Sequence, residues 1–241
     1  IVLIDGFSVL KTINFSTRRN LGSPVTVMRT YNTRNVDEMV ILDIDASKHG
    51  RSIDKFIIKE ITNDCFMPLT VGGGIKSLKD IESLLKSGAD KVSINTFGIE
   101  SKDFIKEASM EFGSQCIVSS IDIITDNNEY QVYSNGRTLH EINYLEWIQE
   151  LISMGAGEIL INDVSRDGLM CGSNHNLAKE ISLISKVPVI YAGGISNPVD
   201  AANLVKNSNI DGVGVSSIFH FTNSTPEDCR TELKKINIPA R

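Results

Sequence analysis

Several side chains in this sequence are of types that move protons or hold anions, and they gather where short apolar runs stop: Asp43, Asp45, Asn95, Asp122, Asp163, Asp167 and Ser217. Asp122 and Asp167 close the fifth and sixth of these runs, and two carboxylates placed there can exchange protons with a substrate. Both also suit a structural role, Asp122 orienting a loop and Asp167 capping the turn Ser165-Arg166-Asp167-Gly168. Anion chemistry is written into a duplication. Val71-Gly72-Gly73-Gly74-Ile75 is echoed by Tyr191-Ala192-Gly193-Gly194-Ile195, with Gly73 and Gly193 120 residues apart. After each echo comes a run ending in small hydroxyl or amide residues, Ser93-Ile94-Asn95-Thr96 and Val215-Ser216-Ser217. Glycine permits positive φ and close backbone approach, and strand ends with free amides and small donors make phosphate sites in parallel α/β proteins. One Gly-Gly pair alone reads as a tight turn. Two copies, each with its partner run, point to a ligand carrying a phosphate at each end. Neither copy is a dinucleotide fingerprint or a P-loop, so no cofactor is implied. Lys11, Arg18 and Arg19 lie in a polar stretch running to about Pro24. It reads equally as a mobile cationic cover or as a solvated surface loop.

Short apolar runs and amphipathic segments alternate along the chain. Eight β-branched runs read as strands: 1–4, 39–44, 68–72, 91–95, 116–122, 158–163, 187–192 and 212–216. Seven segments between or after them have helical character: 53–60, 78–86, 102–111, 145–153, 176–185, 198–205 and 226–235. Pro198 and Pro226 suit first helical turns. Such alternation is the pattern of βα units around a parallel sheet. Tyr130–Tyr133 followed by Ser134-Asn135-Gly136 reads as an inserted hairpin. A third echo pairs Leu42-Asp43-Ile44-Asp45 with Asn162-Asp163-Val164-Ser165. Eight units in two like halves predict the α/β class and one domain over residues 1–241. The expected architecture is a single (β/α)8 TIM barrel built from two half-barrel repeats, about 1–115 and 116–241.

A net charge of −6 argues against nucleic acid or an anionic membrane as partner. The four cysteines show neither metal spacing nor disulfide pairing, so no metal is expected and a reducing, cytoplasmic setting fits. No apolar run reaches transmembrane length.

Taken in order, Leu42-Asp43-Ile44-x-Ala46-Ser47, Val71–Ile75, Asp90-Lys91-Val92-Ser93-Ile94-Asn95-Thr96, Phe112-Gly113-Ser114-Gln115, Gly155-Ala156-Gly157-Glu158, Arg166-Asp167-Gly168 and Ser217-Ile218-Phe219-His220-Phe221 resemble the HisF family. This is the cyclase (lyase) subunit of imidazole glycerol phosphate synthase. The resemblance covers essentially the whole chain. It implies a barrel that receives ammonia from a HisH-like glutaminase in a glutamine amidotransferase complex and reacts it with a bis-phosphate substrate. One phosphate would then sit on Gly73, Asn95 and Thr96, the other on Gly168, Gly194, Ser216 and Ser217. Lys11 matches the lysine of the family's active-site loop, Asp167 its catalytic aspartate and Asp122 the supporting one. Glu38, Lys91 and Glu158 match three charged residues of the ammonia gate, and Asp90 matches a glutaminase-docking residue.

One departure stands out. The family's second catalytic aspartate lies eight positions before the loop lysine, and here that position is Leu3. Asp5, on the same strand face, is the nearest carboxylate that could stand in after a local shift. Ser165 and Leu169 replace the family's aspartate and threonine beside the catalytic turn. A kept phosphate and ammonia set with a lost acid/base resembles a HisF-like branch associated with surface-glycan amidation. There the barrel works with a HisH-like glutaminase and an ATP-dependent sugar amidotransferase. The competing expectations are a histidine-pathway cyclase and a sugar-phosphate isomerase like HisA, the latter disfavoured by the gate residues.

Overall fold

A computed structural model describes residues 1–240 of the chain, which form two compact units. The first contains residues 1–11, 18–119 and 154–157; the second contains 12–17, 120–153 and the residues from Glu158 onward.

In the first unit, β1 (Val2–Asp5) turns at Gly6 into antiparallel β2 (Ser8–Ile13), which belongs to this unit up to Lys11, and β3 (Thr17–Gly22) belongs to it from Arg18. There follow α1 (Pro24–Thr33), β4 (Met39–Asp43), α2 (Lys55–Thr62), β5 (Leu69–Gly72), α3 (Leu78–Lys86), β6 (Lys91–Ile94), α4 (Thr96–Glu100), α5 (Asp103–Phe112) and the first residues of β7 (Ile117–Asp126). Strands β1, β4, β5, β6 and β7 pair in parallel in that order. Ile41, Leu69, Val71 and Val92 are buried, as β-branched and aliphatic residues are in sheets covered on both faces. The helices begin where the sequence supplies caps. Asp54 accepts from the Phe56 amide, and Ser77 with Asp80 forms a reciprocal capping box. Behind these caps Ile57, Ile58 and Ile61 of α2 and Ile81 and Leu84 of α3 are buried, each contributing about 1.5–3 kcal/mol of transfer free energy.

The second unit continues β7 from Ser120 and adds β8 (Glu129–Ser134), β9 (Arg137–Leu139), α6 (Tyr144–Ser153), β10 (Glu158–Asp163), α7 (His175–Ile184), β11 (Val189–Ala192), α8 (Pro198–Ser208), β12 (Gly212–Gly214), α9 (Ser217–Phe221) and α10 (Pro226–Lys235). Strands β10, β11 and β12 pair in parallel, while β7, β8 and β9 form an antiparallel meander. Pro198 and Pro226 occupy first helical turns, as expected.

All eight predicted strands and seven predicted helices are present, with ends moved by a few residues. Three features differ. The polar stretch before Pro24 is the β2–β3 hairpin, turning at Asn14 (φ 48°) and Phe15 (φ 56°). Residues 24–33 form α1, unexpected because Thr26, Thr30, Asn32 and Thr33 are weak helix formers; burial of Met28 and Tyr31 secures it instead. Finally, β7 runs past Asp122 to Asp126 through a second tight turn at Asn127-Asn128. Asp122 therefore sits inside a strand rather than at its end.

Candidate functional site

The two glycine turns share their backbone conformation and the close approach of their first glycine to an aspartate carbonyl. Gly73 and Gly74 have φ 128° and 63°, Gly193 and Gly194 119° and 76°. A Cβ on Gly73 would lie 2.6 Å from the Asp43 carbonyl oxygen, and one on Gly193 2.7 Å from that of Asp163. Backbone thus packs on backbone in both turns, and no larger residue fits. Beside each turn a strand passes into a five-residue helix, α4 opening at Thr96 and α9 at Ser217. The preceding Asn95 and Ser216 share an unusual backbone, φ −126° and ψ −93° against φ −145° and ψ −69°. The first amides of such turns have no partner within the helix. Gly168 (φ 74°) is also obligatory, since its Cβ would lie 2.0 Å from the Thr12 carbonyl oxygen.

Buried aspartates brace both turns. Asp43 accepts from the Asp45 and Ala46 amides and from Arg51 at 2.5 Å. Hydrogen bonding to Asp43 raises the Arg51 pKa above its ordinary value. Asp163, 1% exposed, accepts from the Tyr191 hydroxyl at 3.0 Å and faces Arg166 Nε at 3.6 Å. Burial pushes its carboxyl pKa up. Asp5 turns to Arg51 at 3.5 Å, so its carboxylate belongs to this bracing cluster. Leu3 is buried at 9% exposure and pairs with Leu42 on β4 and Leu10 on β2.

The remaining predicted chemical groups are distributed as follows. Asp167 lies in the turn after a single tight helical turn, Val164–Arg166. One of its carboxylate oxygens accepts from the Thr12 hydroxyl at 2.5 Å, and its carbonyl accepts from the Asn14 amide at 3.0 Å. Asp122 accepts from the Asn162 amide nitrogen at 2.8 Å. Lys11 lies in β2 and is only 6% exposed, so it belongs to a strand rather than to a loose loop. Arg18, on β3, holds Asp45 with both guanidinium nitrogens, the second at 2.7 Å. This hydrogen bond holds the Asp45 pKa below its ordinary value. Neither Thr12 nor Asn162 is among the candidate chemical groups that the sequence offers. Thr12 meets a residue 155 positions away and leaves no local trace. Asn162 did leave one, an amide in the otherwise apolar Ile159-Leu160-Ile161 run where the half-repeat has Leu42.

At the opposite strand ends Lys91 pairs with Glu38 at 3.1 Å, and Glu158 opens β10 in the second unit. Asp90 has a defined structural bond: its carboxylate accepts the Leu69 amide at 2.8 Å while its own amide donates to Leu69. Asp211 does the same with Val189, also at 2.8 Å. No metal-binding group of side chains and no membrane-spanning helix occurs among the described residues.

These features define an α/β protein of two like halves, each ending its strands in a braced glycine turn beside a short helix. The family model described as "Histidine biosynthesis protein" matches residues 1–225. A Campylobacter jejuni protein named "Putative imidazole glycerol phosphate synthase subunit hisF2" is 43% identical over 240 residues, covering 100% of this chain and 96% of that protein. Proteins named imidazole glycerol phosphate synthase subunit HisF from Clostridium botulinum and Methanococcus vannielii are 39% and 37% identical. Each match covers 97% of this chain, with 93% and 94% of the relative. The chain belongs to the histidine biosynthesis protein family and, within it, to the HisF-like imidazole glycerol phosphate synthase subunits. The family's fold is the TIM barrel predicted from the eight βα units.

Proposed function

We propose that this HisF-like subunit works as one domain, binds a ligand carrying two phosphates, and uses or relays ammonia from a HisH-like glutaminase. Its specialised task is sugar amidation in surface-polysaccharide synthesis, together with an ATP-dependent sugar amidotransferase. The observation that carries the ligand reading is the duplicated turn. Gly73 with Asn95 and Thr96, and Gly194 with Gly168, Ser216 and Ser217, offer the same bare backbone and small donors twice.

What favours specialisation over ordinary cyclisation is β1. Its Leu3 is buried and cannot transfer a proton, and Asp5 is engaged by Arg51. Asp167, Asp122 and Lys11 then remain as the groups that contact the reacting ligand. Loss of one acid–base partner costs about 10²–10⁴ in rate. With the ribonucleotide substrate of imidazole glycerol phosphate synthase and added ammonium, we expect turnover lower by that factor than in the Clostridium botulinum relative. Leu3→Asp is expected to recover part of it. Turnover equal to the relative's, and surviving Asp167→Asn, would overturn this assignment. The second reading, a cyclase of histidine biosynthesis, draws support from the relatives' names and from the retained Asp122 and Asp167.

Glu38, Lys91 and Glu158 serve in this proposal as the gate for ammonia, with Asp90 on the docking face. Charges that pair with one another exclude water yet part for a small neutral molecule, and the Glu38–Lys91 pair has that chemistry. Lys91→Ala should leave reaction with external ammonium intact while uncoupling glutamine hydrolysis from product formation. Equal loss of both activities would instead make the pair a stability ring.

A further inference from the structure

Asn162 is an amide in a strand whose neighbours are aliphatic, and both its environment and its orientation are determined. Its Nδ2 lies 2.8 Å from Asp122 Oδ1 and 3.1 Å from the Ser120 hydroxyl oxygen. Ser120 and Asp122 are two residues apart on β7, and so share one face of that strand. The atom of Asn162 that faces both oxygens is the nitrogen, the donor end of the amide. With the amide nitrogen committed to Ser120 and Asp122, the carbonyl oxygen is the polar atom that Asn162 has left to offer. The side chain is half-buried, near the C-terminal end of β10 where barrel chemistry gathers.

We infer that Asn162 is a specificity-determining residue whose carbonyl oxygen, held beside the negative Asp122, accepts a hydrogen bond from an amine on the ligand. The ligand class is an amine-bearing phosphate ester. The anion is taken by the turn of Gly168, Gly194, Ser216 and Ser217, and the protonated nitrogen by Asn162 with Asp122. All of these residues lie within the second unit. Two acceptors, one of them charged, favour N–H over the lone acceptor of an ether or carbonyl. The charge favours a cationic amine over a hydroxyl. The inference rests on the anion reading of that turn and adds the nature of the second group recognised.

The test uses the full chain and ω-aminoalkyl phosphates of two to five carbons, each compared by calorimetry with the alkyl phosphate of equal length. At the best length the amine should bind about tenfold or more tighter, as expected of a hydrogen bond to a charged group. Asn162→Leu should abolish that preference while leaving alkyl phosphate affinity unchanged, which also shows that the variant folds. Asn162→Thr, which restores an oxygen acceptor, should recover part of the preference. Preference undiminished in Asn162→Leu, or absent from the unaltered chain, would overturn the inference. If neither series binds, the anion reading fails, and a measurement without ligand decides on Asn162. Its side-chain N–H signals should exchange slowly with solvent in ¹⁵N spectra and lose that protection in Asp122→Leu. Rapid exchange in the unaltered chain would show that the amide is not held and would end the proposal.

Discussion

Thr12 shows how much one side chain can do for a carboxylate. It is 2% exposed, and its hydroxyl donates to an Asp167 oxygen 2.5 Å away, a part-buried hydrogen bond to a carboxylate. Such bonds contribute about 1.5–3 kcal/mol. Thr12→Val, of nearly equal shape, should therefore lower unfolding free energy in urea by about 1–3 kcal/mol, and Thr12→Ser should restore most of it. A Val variant as stable as the parent would mean that Asp167 does not depend on this donor. Thr12 thus holds Asp167 whichever chemistry the aspartate serves.

At the scale of elements, the β2–β3 hairpin is where charge and backbone strain meet. Its turn places Asn14 and Phe15 at positive φ. Asparagine tolerates this region and phenylalanine does not favour it, so surrounding contacts must hold the turn. Within the second unit they include the Asn14 amide on Asp167 and an edge-on contact of Phe15 with Tyr133. Within the first unit, Arg18 grips Asp45. Because that bond depresses the Asp45 pKa, its stabilisation is present above the carboxyl's ordinary value of 3.8 and is lost as pH falls through the lower folded value. Protection of the amides of residues 17–22, corrected for the intrinsic pH dependence of exchange, should fall on acidification below about pH 4, with little change between pH 5 and 7. Asp45→Asn should exchange rapidly at both. Acid-insensitive protection of the hairpin would remove Arg18–Asp45 as its latch.

At the scale of the whole molecule, the half-repeat extends to bonds the alignment of motifs does not reveal. Met39 donates to Pro68 as Ile159 does to Pro188, and Asp90 clasps Leu69 as Asp211 clasps Val189. These matched bonds set strand register in each unit independently. Asp90→Ala and Asp211→Ala should each cost about 0.5–1.5 kcal/mol, as a lost hydrogen bond does, and to similar extents. Thermal unfolding of the two variants reads this directly. A silent Asp90→Ala beside a damaging Asp211→Ala would point to docking alone as the work of Asp90.

What was legible in the sequence was whatever depends on local composition or on repetition. Strands appeared as β-branched runs, most helices by their apolar spacing, and the Asn135-Gly136 turn by its residue types. The glycine turns declared themselves because the same backbone problem was solved twice, 120 residues apart. The hairpin at Asn14-Phe15 and helix α1 were hidden, because Phe15 does not favour positive φ and the threonines of α1 are weak helix formers, so that burial and distant bonding make them stable. The carboxylates were visible as candidates, but their states were not. Asp5 bound to Arg51, Asp167 to Thr12 and Asp122 to Asn162 are pairings between distant parts of the chain. A side chain's charge and orientation follow from the groups folded against it, and only the tertiary structure names those groups.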